Sequence, residues 1–254
     1  MRDQHVYLNG VSLETAHPSI LLQHIDESAP KADVQTAARG GAPGAFVTSA
    51  QLRERAVTIL FAVREAKDFT IRADAVSAAA AWAAGGGWLS LSSRPGLRLW
   101  VTPTELPSIG RLRDWTDDIS LTLTAFHWPW WQEESPTAVT ATGVGSTGTE
   151  ITVPVTGCAP AGLEAEITPG DALTGVTLTS GGRTMTLSNL SVASGTKLSV
   201  YYDERHLLRI EAGGTGLLGK RTGDDLVLQP GRRAVTVACS TASTVKLWAR
   251  GCYL

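Results

Sequence analysis

Residues 119–131 read I-S-L-T-L-T-A-F-H-W-P-W-W, and this stretch restricts the fold more than any other. Leu121, Leu123 and Ala125 alternate with Ser120, Thr122 and Thr124, the two-residue period of a strand with one buried face. Pro129 cannot donate to a central ladder, so the regular strand ends near it. Trp128, Trp130 and Trp131 bring three indoles into four positions, a large apolar area that needs cover. Residues 132–137, Q-E-E-S-P-T, have the composition of a linker. The pattern predicts the last strand of one domain, closing its core just before a second domain begins.

A chain of 254 residues has room for two such domains. All four Phe and seven of the eight Trp lie at or before Trp131, whereas the remainder is rich in Thr, Gly, Val and Leu. The boundaries read as 1–133 and 134–254. Charge does not separate the halves: 12 Lys/Arg stand against 13 Asp/Glu up to Trp131, and 10 against 11 beyond it. Neither half has the basic excess of a protein that grips nucleic-acid phosphates, so no specific nucleic-acid binding is expected. The first ten residues carry no apolar signal core, which predicts no Sec export, and no apolar run reaches membrane-spanning length. Cys158, Cys239 and Cys252 lack C-x-x-C spacing and read as small buried thiols.

In the first domain, Asn9-Gly10 between apolar residues predicts a hairpin with a type I′ turn. Residues 20–25 supply another strand, and 39–45, R-G-G-A-P-G-A, read as a mobile or assembly-ordered loop rather than a phosphate cradle. Residues 55–64 are β-branched and apolar, as in a central strand. Asp74 reads as the N-cap of the one helix, an Ala-rich run closed by Gly85-Gly86-Gly87. Val76, Ala79 and Ala83 give it a close-packing face. Residues 88–91 and 97–101 flank S-S-R-P-G as a second hairpin.

Beyond Ala138 short strands alternate with turns, among them the hairpin around Gly181-Gly182, which predicts an antiparallel sandwich or jelly roll. Residues 214–221, G-T-G-L-L-G-K-R, imitate a P-loop. Arg221 stands where the magnesium-binding hydroxyl belongs, and no buried strand and helix flank the run. Asp203, Glu204 and His206 beside Tyr201 and Tyr202 read as a polar turn rather than a carboxylate–imidazole site. Asp114, Asp117 and Asp118 read as a solvated turn without calcium-loop spacing. His5, His17, His24 and His127 show no ligand spacing. No catalytic, cofactor-binding or metal-binding residue is assigned, and no cofactor is expected.

Several segments, in order, resemble the distal tail proteins of siphophages and related prophages. They are Y-L-N-G-V (7–11), I-D-E-S-A-P (25–30) before R-G-G at Arg39, and R-E-R-A-V-T-I-L-F (53–61). W-A-A-G-G-G-W (82–88), S-S-R-P-G (92–96) and the run from Arg113 to Trp131 follow. D-D-L-V-L-Q-P-G-R-R-A-V-T-V (224–237) and W-A-R-G-C-Y-L (248–254) close the match. It departs at Arg232-Arg233, where an asparagine is expected after the glycine. The resemblance implies a mainly β chain: an N-terminal β-sandwich with one α-helix and a long hairpin, then a peripheral galectin-like antiparallel β-sandwich. It also implies a non-enzymatic hexameric ring at the distal end of the virion tail. The ring would join the tail tube protein to tail-tip or baseplate proteins around a channel for DNA. The alternative is that the C-terminal sandwich binds a host cell-wall saccharide, for which Tyr201, Tyr202, Trp248 and Tyr253 are the only stacking candidates after Trp131. A cell-wall hydrolase has no motif in its favour.

Overall fold

The computed structural model describes residues 4–38, 43, 45–64, 68–107 and 119–254. The chain divides into two compact units, residues 1–131 with Leu254, and residues 132–253. Both are built from antiparallel sheets, so the fold is mainly β.

In the first unit Asn9 (φ 53°) and Gly10 (φ 80°) turn the chain between β1 (Val6–Leu8) and β2 (Val11–Ser12), as Asn-Gly predicts. A short helix α1 (Leu13–Ala16), capped by Ser12, leads to β3 (Ile20–Glu27). β4 (Ala32–Ala38) and β5 (Ala45–Leu52) pair only with each other as a separate two-stranded ribbon. β6 (Arg55–Val63) then returns to the main sheet and alternates buried with half-buried residues until Phe61, beyond which both faces are covered.

Helix α2 spans Phe69–Ala83, and its N-cap is Asp68, not Asp74. Asp68 Oδ1 accepts from the amides of Thr70 (2.8 Å) and Ile71 (3.5 Å). Thr70 and Ile71 are β-branched and weak helix formers, which hides the first turn in the sequence; the cap supplies what propensity does not. Ala75, Val76, Ala79 and Ala83 are buried on one face, and Trp82 donates its indole N–H to the Val11 carbonyl at 2.9 Å. At the helix end Asn9 ties two turns together. It donates from Nδ2 to the Gly86 carbonyl (3.0 Å) and accepts at Oδ1 from the Trp88 amide (2.9 Å). Gly87 (φ 135°) lies so close that a Cβ there would overlap the Asn9 amide.

β7 (Gly87–Leu91) and β8 (Leu97–Glu105) form the second expected hairpin, with Trp88 and Trp100 edge to face at 5.2 Å. β8 changes partner along its length: residues through Val101 pair with β7, and Thr102 to Glu105 pair with β9 (Ile119–Ala125). The strand order is β2-β1-β7-β8-β9-β6-β3, which places β6 between β9 and β3. In β9 Leu121, Leu123 and Ala125 are fully buried as the alternation requires. Thr124 is buried too, its hydroxyl 2.9 Å from that of Thr104. Trp131 is fully buried beneath the Arg94 guanidinium (5.4 Å), while Trp128 and Trp130 are half-buried. Residues 111–118, with Asp114, Asp117 and Asp118, lie outside the described residues, as does most of 39–45.

Trp131–Glu133 forms β10, and the division between the units falls inside it, two residues before the 133/134 boundary read from the sequence. Gln132 and Glu133 are strand residues, not linker. Gln132 is buried, and Glu133 accepts from Thr156 (2.6 Å) and Tyr253 (3.1 Å) in the second unit.

The second unit is a sandwich of two antiparallel sheets. One contains β11 (Val139–Val144), β13 (Ala161–Pro169), β16 (Leu198–Tyr202), β17 (Leu208–Ala212), β18 (Thr215–Gly216) and β22 (Ser243–Ala249), in the order β11-β22-β13-β16-β17-β18. The other contains β12 (Thr149–Val155), β14 (Val176–Ser180), β15 (Arg183–Leu187), β19 (Arg221–Gly223) and β21 (Gly231–Cys239), in the order β12-β21-β14-β15-β19. β20 (Val227–Leu228) adds to β13, and β23 (Cys252–Tyr253) closes the chain. Inward residues alternate along β12 and β22: Ile151, Val153 and Val155 on one, Val245, Leu247 and Ala249 on the other are all buried. Gly181 and Gly182, both at positive φ, make the tight turn between β14 and β15. The cysteines are free thiols; Cys239 and Cys252 are buried, but Cys158 is exposed. Its backbone is held beside Cys252 by an N–H···O bond of 2.8 Å, which leaves the side chain outward.

Candidate functional site

Two places draw attention: the free ribbon of the first unit and the polar turn of the second. β4 and β5 expose nearly every residue, including Val34, Phe46, Leu52 and Val47, the last at 63%. At its base the ribbon is held by Lys31–Glu54 (3.0 Å) and Arg53–Asp33 ion pairs and by backbone bonds between Lys31 and both Arg53 and Glu54. Thr48 is the extra residue of a bulge, and its hydroxyl donates to the Gln35 carbonyl at 3.0 Å. An isolated two-stranded ribbon is marginally stable in water, and both its outer edges carry unpaired backbone groups. Exposed apolar side chains on such an element make it a candidate interaction surface. The residue pattern located only the connecting Gly/Pro loop, and the resemblance implied a long hairpin without placing it; the strands themselves lack a buried face and so lack alternation.

The turn between β16 and β17 is a closed polar unit. Asp203 Oδ1 accepts from the amides of Arg205 (3.0 Å) and Leu207 (2.8 Å), and Oδ2 pairs with Arg209 at 2.7 Å. Burial pushes the Asp203 carboxyl up, but the Leu207 amide and the Arg209 guanidinium outweigh it and hold the group below its usual range. His206, with φ 58°, stacks on Tyr202 at 4.7 Å and 17°. Gln132 Nε2 faces His206 Nδ1 at 3.4 Å; an amide NH₂ only donates, so Nδ1 is the acceptor and the ring is neutral. Burial lowers the His206 pKa to about 4, against the pull of Asp203, and raises that of Tyr202 to about 12. Glu204 is exposed, and its charge adds to that of Asp203 in favouring the charged Arg209 guanidinium. These contacts build and hold a turn.

The remaining aromatic candidates are also engaged. Trp248 is half-buried rather than core, and its indole N–H donates to Glu164 Oε2 at 2.7 Å; Arg250 Nε donates to the other carboxylate oxygen at 3.1 Å. Tyr253 donates to Glu133, and no Trp, Tyr or Phe of the second unit is exposed. The P-loop imitation is a turn, β18, a 3₁₀ turn (Leu218–Lys220) and β19, without the strand-to-helix junction that phosphate binding needs. His5 bonds Glu14 (2.6 Å), His17 accepts from the Ser19 amide (3.2 Å), and His24 and His127 are exposed. Among the described residues no group of three His, Cys, Asp or Glu side chains could hold a metal ion, and no helix is long and apolar enough to cross a membrane.

No protein-family model matches the chain, and no curated protein matches it. Among solved structures, the Dit protein of phage SPP1 is similar over 100% of both chains, with a TM-score of 0.73 at 13% identity. That protein is described as a paradigm of the hub adsorption apparatus in phages infecting Gram-positive bacteria. A chain of the phage P2 baseplate, in its activated conformation with calcium, is similar over 98% of both chains, with a TM-score of 0.52 at 8% identity. The likeness runs through both units in order, and it establishes the fold.

Proposed function

We propose that this chain is a structural, non-enzymatic component of a phage tail tip, carried in the virion at the distal end of the tail. The observation that carries the reading is the likeness to the SPP1 Dit protein over the full length of both chains. The baseplate chain of phage P2 points the same way. In this reading six copies close into a ring by heterologous, head-to-tail contacts. The ring joins the tail tube to tip or baseplate proteins, and the near-neutral chain leaves its channel free for DNA. The first unit forms the ring and the second lies at its periphery. The exposed β4–β5 ribbon supports this, since assembly would cover the apolar surface that one copy leaves in water.

The saccharide-binding alternative draws no support from the aromatic residues of the second unit, all of which are at least half-buried and none of which forms a platform. Sedimentation of the wild-type chain and of a Val34→Thr/Phe46→Ser/Val47→Thr variant tests the proposal. Mixtures with the tail-tube protein of the same phage complete the set. The wild type should assemble and bind the tube protein, and the variant should stay folded but lose assembly. A variant that assembles as well as the wild type refutes the role given to the ribbon. A wild type that neither assembles nor binds refutes the hub.

A further inference from the structure

The second unit contains a cleft of about 350 Å³ between the β14–β15 turn and the corner joining β20 to β21. Arg183 and Arg233 line it, together with apolar surface from Pro160, Val227 and Leu228, and no acidic residue does. Three other arginines of this unit face carboxylates: Arg209 meets Asp203, Arg221 meets Asp225, and Arg250 meets Glu164. Among the described residues Arg183 and Arg233 have no ion-pair partner. Arg233 is nevertheless fixed. Its Nε donates to the Gln229 carbonyl (3.0 Å) and its Nη2 to that of Pro230 (2.7 Å), which holds the guanidinium plane and leaves three of its five N–H donors unused. A held guanidinium loses little freedom on binding, and its fork matches a carboxylate or phosphate.

The geometry points to an oxyanion-binding site: a carboxylate or phosphate monoester on a body about the size of one sugar or amino-acid residue. The volume lies at the small end of ligand clefts, and the apolar lining suits the carbon skeleton beside the charged group. Both arginines are exposed, so binding is weak and falls with salt. This inference stands whether or not the chain forms a ring, because every lining residue belongs to one unit.

Calorimetry or amide-shift titration of the full chain with glucose 6-phosphate, glucuronate and neutral glucose tests it. Dissociation constants on the order of 1 mM are expected for at least one of the two anions, with none measurable for glucose. Raising the salt to about 0.3 M should weaken binding several-fold. Arg183→Gln, at an exposed position beside the turn, should weaken binding about tenfold, and Arg183→Lys, which keeps the charge but not the fork, by less. Binding of the phosphate alone, the carboxylate alone or both supports the site and identifies its anion. The inference is overturned if neither anion binds, if glucose binds as well as they do, or if Arg183→Gln leaves the affinity unchanged.

Discussion

The neutral, half-buried imidazole of His206 makes the stability of the second unit depend on pH in a predictable direction. Folded, the ring stacks on Tyr202 and accepts from Gln132 at Nδ1, and its pKa is lowered from 6.5 to about 4. Unfolded, it takes up a proton as pH falls through 6.5, so the unfolded state binds more protons between the two values. The contribution is complete above pH 6.5, declines as pH falls toward 4, and changes no further below that. Linkage gives a loss of about 1.5–2 kcal/mol between about pH 7.5 and pH 5, the lower end allowing for solvent at the half-buried ring. Carboxylates titrate in the same range, so the readout is a difference between two proteins. Urea unfolding of the wild type and of His206→Asn should be followed across this range. Asn tolerates the left-handed backbone at this position but does not titrate. The variant starts less stable, having lost the stacked ring, and its profile should be flatter by the amount given. Parallel profiles for the two proteins would refute the reasoning.

Three further outcomes follow from the packing. Glu164, 3% exposed, is the shared acceptor of Trp248 and Arg250, so Glu164→Ala strands the Trp248 indole N–H, leaves Arg250 only its carbonyl acceptors at Glu133 and Glu134, and should cost about 2–3 kcal/mol in urea unfolding. Glu164→Gln, which keeps an acceptor, should fall between that variant and the wild type; a loss below about 0.5 kcal/mol for the alanine variant would contradict the network. Asp68→Ala should destabilise α2 by about 1 kcal/mol whereas Asp74→Ala, inside the helix and exposed, should not, and amide exchange along α2 distinguishes them. Gly162→Ala would drive a Cβ into Tyr202 Cε2, against a ring already stacked on His206, and should cost about 2 kcal/mol or more by thermal melting.

The parts of the fold legible in the sequence are those where one local pattern is decisive. The alternation of Leu121, Leu123 and Ala125 locates β9, and Asn9-Gly10 and Gly181-Gly182 locate two hairpin turns. The parts that were not legible depend on distant partners. β13 carries Gly162 and Glu164 in a strand that is buried along most of its length. Its pattern looks broken until Tyr202 covers the glycine and Trp248 and Arg250 satisfy the carboxylate. The start of α2 is hidden behind β-branched residues and rests on one side-chain cap. The β4–β5 ribbon has no buried face and thus no hydrophobic period to read. His206 is held neutral by burial and accepts from Gln132, more than seventy positions away, in a segment that reads as linker.

The central claim, that the chain is the repeating part of a ring, is tested most directly by its mass in solution. Light scattering across concentration, alone and mixed with the tail-tube protein of the same phage, should be paired with negative-stain images. Six copies of a 26.8 kDa chain predict a species of about 160 kDa, imaged as a closed ring with a central hole. A monomer that persists at high concentration, both alone and with the tube protein, would contradict the account.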